Sequence, residues 1–522
     1  MSCHRVAAFV RGLSLALLCC LAAATSSYSA PSLISRFGTT GAETAITAMT
    51  RDANGNLYVA GTFGGSTLLV GNLILSRSQA PRDGFVAKYG PGGDAVWVQS
   101  FGSTSNTLDL TISAIAVDNA GKIYLAGSFG GNFTDVSVDA QNDNYGFVLG
   151  TTAGNISIDW SYVARGTGVE LLDVAVDPQR NSVFVAGKFS FGNLNTPTVP
   201  LTGNSDGLIM RLNSGTGALL WNKTVAGAGS SVSLNGIALD KNRRSIYVAG
   251  GFGGAGLTSP VLALGGDNDA AIFRVDYDGL LVQAVQSFSG PGANITTRRL
   301  VIDDDAANLY LVGNFGGSIT TPSAAALTMA GGEVAGFAIG LAADGTIAWA
   351  NRFGGNATDM SLSSAVAAGS RLYVAGSFDG GNIDTPADAA MTRIGTRDGF
   401  VIVLGQNGQV AAAGNYGGAD AELTIKGAAL NDQGGIFLGG ELSGASLATP
   451  SASLIGDRSA VILADAPSPP PPRLTIASPS NGTVRDGGGD LVCGTSCSAS
   501  YTAGTAVALT ATPATGYVFA GW

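Results

Sequence analysis

The sequence predicts an all-β chain: a seven-bladed β-propeller whose N-terminal strand closes the last blade, followed by a small C-terminal β-rich module. Three observations carry this. A short run of aromatic, aliphatic, small or aliphatic residue and Gly opens at Tyr58, Tyr124, Phe184, Tyr247, Tyr310, Tyr373 and Phe437, at intervals of 60 to 66 residues. Around each marker, apolar and polar residues alternate over short stretches bounded by turn residues, as half-buried strands require. The 77 glycines, 12% charged and 45% apolar residues among 522 suit tight turns and exclude long helices, since a glycine inside a helix costs about 1 kcal/mol relative to alanine. Repeats that pack on their neighbours reach this length as one ring or solenoid.

Taken in order, residues 1–30 read as a secretory signal peptide. Arg5 and Arg11 precede an apolar run over 13–21 and then small residues, and the run is too short to span a bilayer. Cleavage is expected after Ala24 or Ala30. Its removal takes away two arginines and no acid, so the formal charge of −10 becomes −12, and the only histidine, His4, is lost. A mature chain without histidine has no Ser/His/Asp or Cys/His nucleophile and no imidazole-ligated zinc.

Residues 31–465 are expected to form the propeller. In the second repeat, strands are read at 113–118, 122–129, 145–149 and 160–163, with turns near Gly121 and Gly154; four antiparallel strands joined as hairpins make a blade. Trp97, Trp160, Trp221 and Trp349 each start a fourth strand, and inter-blade packing is the expected role. The seventh repeat ends after its third strand, at 460–463, while residues 33–38 (LISRFG) match the fourth-strand pattern of 349–354 (WANRFG). The N-terminal strand is therefore expected to complete blade seven, leaving no open edge.

The first-to-second and third-to-fourth turns are tight and share one face. The long segments between second and third strands, with Thr-Pro or Ser-Pro steps at Pro197, Pro260, Pro322, Pro386 and Pro450, share the other. That second face is where a ligand is expected.

The recurring order of Asp, hairpin turn, Tyr-Val-Ala-Gly and then Asp-Gly-Phe-Val, as in 52–61 followed by 83–86, resembles the bacterial beta-propeller repeat family abbreviated SBBP, over about residues 32–464. Ala284 and Ala412 depart from it at the fourth-strand tryptophan. The resemblance implies a seven-bladed propeller in an exported or surface protein and no common reaction.

Acids stand 14 or 15 residues before the marker in five repeats, Glu43, Asp109, Glu170, Asp359 and Glu422, where each innermost strand enters the channel. Such a rim could hold Ca²⁺, which takes several oxygen ligands, or could be solvated charge or loop caps. Arg298 and Arg299 break the pattern in repeat five and could pair with acids or receive an anion. Nucleic acid is disfavoured by the net negative charge, and glycan stacking by the scarcity of aromatics on the long segments, Phe133 and Phe191 excepted.

A proline-rich linker at 466–473 leads to residues 474–522, with strands near 474–477 and 507–511. Gly482-Thr-Val484, the pair Cys493 and Cys497, the run 507–513 and Gly521-Trp522 are similar to divergent internalin-type B-repeats of bacterial surface proteins, cut short at Trp522. In an exported protein the two cysteines read as a disulfide. The expected function is binding or display at the cell surface, without catalysis, by a monomer that meets an extracellular protein or glycan. An extracellular metal-assisted lyase or hydrolase and a passive spacer are the alternatives.

Overall fold

The structure is a computed structural model. It describes residues 17–20, 32–38 and 43–465, apart from 79, 105–107, 153–155, 281, 304–307, 321–325, 330–333, 343, 387–388, 432–434, 449 and 456. It also describes residues 473–521, apart from 477–480, 488–490, 494–497, 501–505 and 520. Most of the expected signal peptide, nearly all of the linker and Cys497 therefore lie outside the described residues. The chain divides into two compact units, residues 30–465 and residues 1–29 with 466–522.

The larger unit is a β-propeller. Its first meander pairs Thr44–Arg51, Leu57–Phe63, Asp83–Tyr89 and Ala95–Phe101 in order, all antiparallel. Among the described residues the same four-stranded order begins again at Thr111–Val117, Glu170–Asp177, Ser231–Asp240, Asn294–Ile302, Thr358–Ala368 and Glu422–Leu430. These first strands are innermost. Each touches the next, and Glu422–Leu430 touches Thr44–Arg51, so the cycle closes. In the last meander Arg458–Asp465 pairs with Ser32–Phe37, from Ser32 opposite Ala464 to Phe37 opposite Ala460. The N-terminal strand thus occupies the fourth position, as expected.

The repeated residues explain the repeated fold. Asp52, ending an innermost strand, accepts hydrogen bonds from the turn amides of Asn54 and Asn56, each at 2.9 Å, and from Tyr58 Oη at 3.0 Å. Asp118 and Tyr124 repeat this. In the third meander the marker is Phe184, which has no hydroxyl; Tyr277 of the following meander supplies one to Asp177 instead, at 3.0 Å, its ring 4.7 Å from that of Phe184. Burial beside these carboxylates pushes the Tyr58, Tyr124 and Tyr277 hydroxyls well above the usual phenol range.

The tryptophans join neighbouring blades. Trp160 Nε1 donates to Ser214 O (2.9 Å), Trp221 Nε1 to Tyr277 O (2.7 Å) and Trp349 Nε1 to Gln406 O (2.6 Å). Each carbonyl belongs to the next blade's third-to-fourth turn. That turn also presents Gly217, Gly279 or Gly408, at φ of 71°, 70° and 79°, where a Cβ would meet the indole ring at under 3.0 Å. Ala284 leaves no indole in blade four, and Val285 closes on Gly345 there.

The long segments do not hang free. Thr196 pairs with Arg165, Ser259 with Ala226, Thr320 with Ser289 and Thr385 with Gly354; Val70 pairs with Phe37, and Ala448 N donates to Gly417 O. Each segment is a strap onto the outer strand of the preceding blade. The second blade differs again: Ile123–Phe133 and Val138–Thr151 run on as one long hairpin through a short 3-10 turn at Thr134–Val136. Phe133 is the reason, fully buried against Phe129 and Phe147.

In the smaller unit Ala506–Pro513 pairs with Gly482–Asp486, which pairs with Val492–Cys493, while Arg473–Thr475 pairs with Ser498–Ser500. Val484, Leu491, Cys493, Val507 and Leu509 form a small core. Cys493 is disulfide-bonded. Leu17–Cys20, inside the apolar run read as a signal, adds an antiparallel strand to Ala506–Pro513. No helix of the described residues is long and apolar enough to cross a membrane.

Candidate functional site: the channel and its mouth

Every innermost strand slips register by one residue at the same level, leaving Thr47, Ser113, Leu172, Asn235, Arg298, Ser363 and Lys426 as bulged residues. A bulge re-aims the side chain it carries. Three of these bridge to the next innermost strand: Thr47 Oγ1 donates to Ile112 O, Asn235 Nδ2 to Thr297 O at 3.0 Å and Ser363 Oγ to Ile425 O at 2.6 Å. They ring the channel. On the tight-turn side of this ring the channel is a cavity of about 680 Å³ lined largely by Ala, Val, Ile and Leu from all the innermost strands.

On the other side the wall is charged, and most of its acids meet a cation or a hydroxyl. Arg82 pairs with Glu43 and lies 3.8 Å from Asp109. Arg458 Nη1 is 2.7 Å from Glu441 and its Nε 4.0 Å from Glu43. Lys188 sits 3.3 Å from Glu170, directly across the strand pair, and Ser443 Oγ donates to Glu422 at 3.2 Å. Asp359 stands opposite Asp379, which pairs with Arg397; Asp359 Oδ1 is buried without a hydrogen bond among the described residues. Among those residues no group of three or more His, Cys, Asp or Glu side chains is placed to hold a metal ion. Glu43 is shared by Arg82 and Arg458, so Asp109, Arg82, Glu43, Arg458 and Glu441 form one chain of charge, with Glu170 and Asp379 paired apart from it.

The two arginines part company. Arg299 Nη1 lies 3.1 Å from Asp173 Oδ1, while Asp173 also accepts from Val174 N and Ile237 N. Burial pushes the Asp173 carboxyl above the usual range, and Arg299 pulls it back. Arg298 has no ion pair among the described residues; its side chain is exposed to the channel, and the surrounding protein lowers it from the usual arginine range.

Between the last two blades is a cleft of about 570 Å³, lined by Asp379, Arg397, Glu422, Lys426, Glu441 and Arg458 among others. Lys426 and Asp173 were not singled out from the sequence. The signal was there for Lys426: it stands 11 residues before Phe437, as Arg298 stands 12 before Tyr310, so aligning repeats places both cations at one level.

A family model for the divergent InlB B-repeat domain matches residues 473–522. No curated protein matches the chain. Solved structures similar to it include the quinohemoprotein alcohol dehydrogenase of Comamonas testosteroni (11% identity, 85% of this chain and 78% of that one, TM-score 0.39). Two others are BamB of Moraxella catarrhalis (11%, 82% and 97%, 0.35) and the periplasmic gluconolactonase PpgL of Pseudomonas aeruginosa (12%, 71% and 84%, 0.39). These likenesses carry no activity to this chain.

Proposed function

We propose that this is an exported, non-enzymatic binding protein, a seven-bladed propeller that meets an extracellular partner through the charged cleft between its last two blades. The observation that carries the reading is how the rim acids are used. Glu43, Glu170 and Glu441 each pair with an arginine or lysine, a setting unlike the two cooperating carboxyl groups, one acid and one base, that hydrolysis or elimination requires. The cleft instead alternates charge, with Arg397, Lys426 and Arg458 set among Asp379, Glu422 and Glu441. Alternating charge on a concave wall favours specificity for a complementary polypeptide, and among the described residues no aromatic side chain lines it for sugar stacking. Residues 1–30 would be the export signal, Cys493 and Cys497 the disulfide pair, and the B-repeat-like segment part of a surface module.

The test is a binding screen of the full chain against extracellular proteins and glycans. Charge reversal at Lys426 and Glu441 should abolish the interaction while leaving the melting temperature within a few degrees. A substrate turned over by the chain, with turnover lost in Glu43→Gln or Glu170→Gln, would replace this reading by the enzymatic one.

A further inference from the structure

Of the seven bulged residues that ring the channel, two carry charge, and both charges are positive: Arg298 and Lys426. They stand two blades apart, on either side of Ser363, whose hydroxyl is tied to Ile425 O. Asn235, on the other flank of Arg298, is likewise tied to Thr297 O. The neighbours of the two cations are therefore hydroxyl and amide groups already bonded to backbone.

The cations nearby are satisfied where these two are not. Arg397 pairs with Asp379, Arg458 with Glu441 and Arg299 with Asp173. Among the described residues, neither Arg298 nor Lys426 has a carboxylate within ion-pair distance. Glu441 draws on Lys426 from farther off, but Arg298 and Arg397 act on it in the opposite sense. Burial is the main influence lowering both groups, although both side chains remain open to solvent.

We propose that Arg298 and Lys426 form an anion site on the channel wall, receiving one oxyanion group, a carboxylate or a phosphate. Two like charges at one level of the channel repel, and arginine does not relieve this by losing its proton. A bound anion turns the repulsion into two charge-assisted contacts, with the guanidinium fork offering paired donors to two oxygens and the ammonium a third. The cavity that opens at Lys426 gives a small anion its way in. The inference goes beyond the binding reading and stands whether or not a macromolecular partner exists.

Isothermal titration of the full chain with inorganic phosphate and, separately, with acetate tests it, and the stronger of the two identifies the preferred group. One anion per chain is expected, weakened at least tenfold in Arg298→Gln/Lys426→Gln and weakened by added chloride. Lys188→Gln, which removes a paired cation on the same face, should leave the affinity unchanged. Equal affinity in the double variant, or no uptake of either anion, would overturn the proposal. Crystals of the unaltered chain soaked in bromide supply a readout that does not depend on the variants folding: an anomalous peak is expected between the Arg298 guanidinium and the Lys426 ammonium, and bromide found elsewhere but not there would also overturn it.

Discussion

Arg299 and Asp173, 126 residues apart, meet at 3.1 Å and tie blade five to blade three past Gly236 of blade four. All three stand at the same level, each the residue after a bulge. A Cβ on Gly236 would lie 2.8 Å from Leu300 N, so the absence of a side chain there lets the strands close up. Both charged side chains are mostly buried, 21% and 11% exposed, which makes this pair a stability element where the rim pairs are not.

Removing Arg299 leaves a buried carboxylate without its counterion, which costs about 3–5 kcal/mol. Arg299→Leu should therefore unfold at much lower denaturant concentration at pH 7. The sign of the pH effect follows from Asp173. Its folded value is raised by burial and rises further without Arg299, so its unfavourable contribution is present above that value and is relieved as the carboxyl protonates. The deficit of Arg299→Leu should shrink as pH falls from 7 towards 4. A deficit independent of pH would show that Asp173 is not the group left stranded.

Trp160→Phe keeps most of the ring but removes the donor to Ser214 O at an inter-blade junction. The unsatisfied carbonyl should cost about 1–3 kcal/mol, read from chemical denaturation. Introducing Trp at Ala284, where Val285 already closes on Gly345, should not stabilise.

Asp398 accepts from the amides of Ile394 at 2.7 Å and Gly395 at 2.8 Å and is fully buried. Asp398→Ala should cost about 1–3 kcal/mol and speed amide exchange in the strap from 391 to 397. Asp206 and Asp269 hold the corresponding straps in the same way and should behave alike.

Glu43→Gln, Glu170→Gln and Glu422→Gln alter half-exposed or exposed carboxylates. Each should change stability by no more than about 1 kcal/mol, as surface pairs generally do, and differential scanning calorimetry with and without calcium should show no calcium-dependent shift lost in the variants.

The repeat period carried most of the fold because its residues act locally. Asp52 and Tyr58 belong to one hairpin, and the match of 33–38 to 349–354 placed Ser32–Phe37 in the last blade. What adjacent repeats do to each other was not legible. The Thr-Pro segments read only as long connections on the ligand face, because their partners, such as Arg165 for Thr196, lie on another blade and pair through backbone atoms. Phe133 read as a loop aromatic, but its burial depends on Phe147 across an extended hairpin. The acids at the rim were found by spacing, yet the cations beside Glu43 come from different blades, Arg82 just before the third strand of the first and Arg458 at the start of the third strand of the last. Asp173 was invisible because its partner stands two blades away.

The most direct measurement is binding of the immobilised full chain to a panel of extracellular proteins and glycans, run beside the Lys426→Glu/Glu441→Lys variant and an assay for polymer breakdown. The account predicts a protein partner retained by the unaltered chain, lost from the variant, and no breakdown. A panel member cleaved by the unaltered chain, or a partner held equally by both forms, would contradict it.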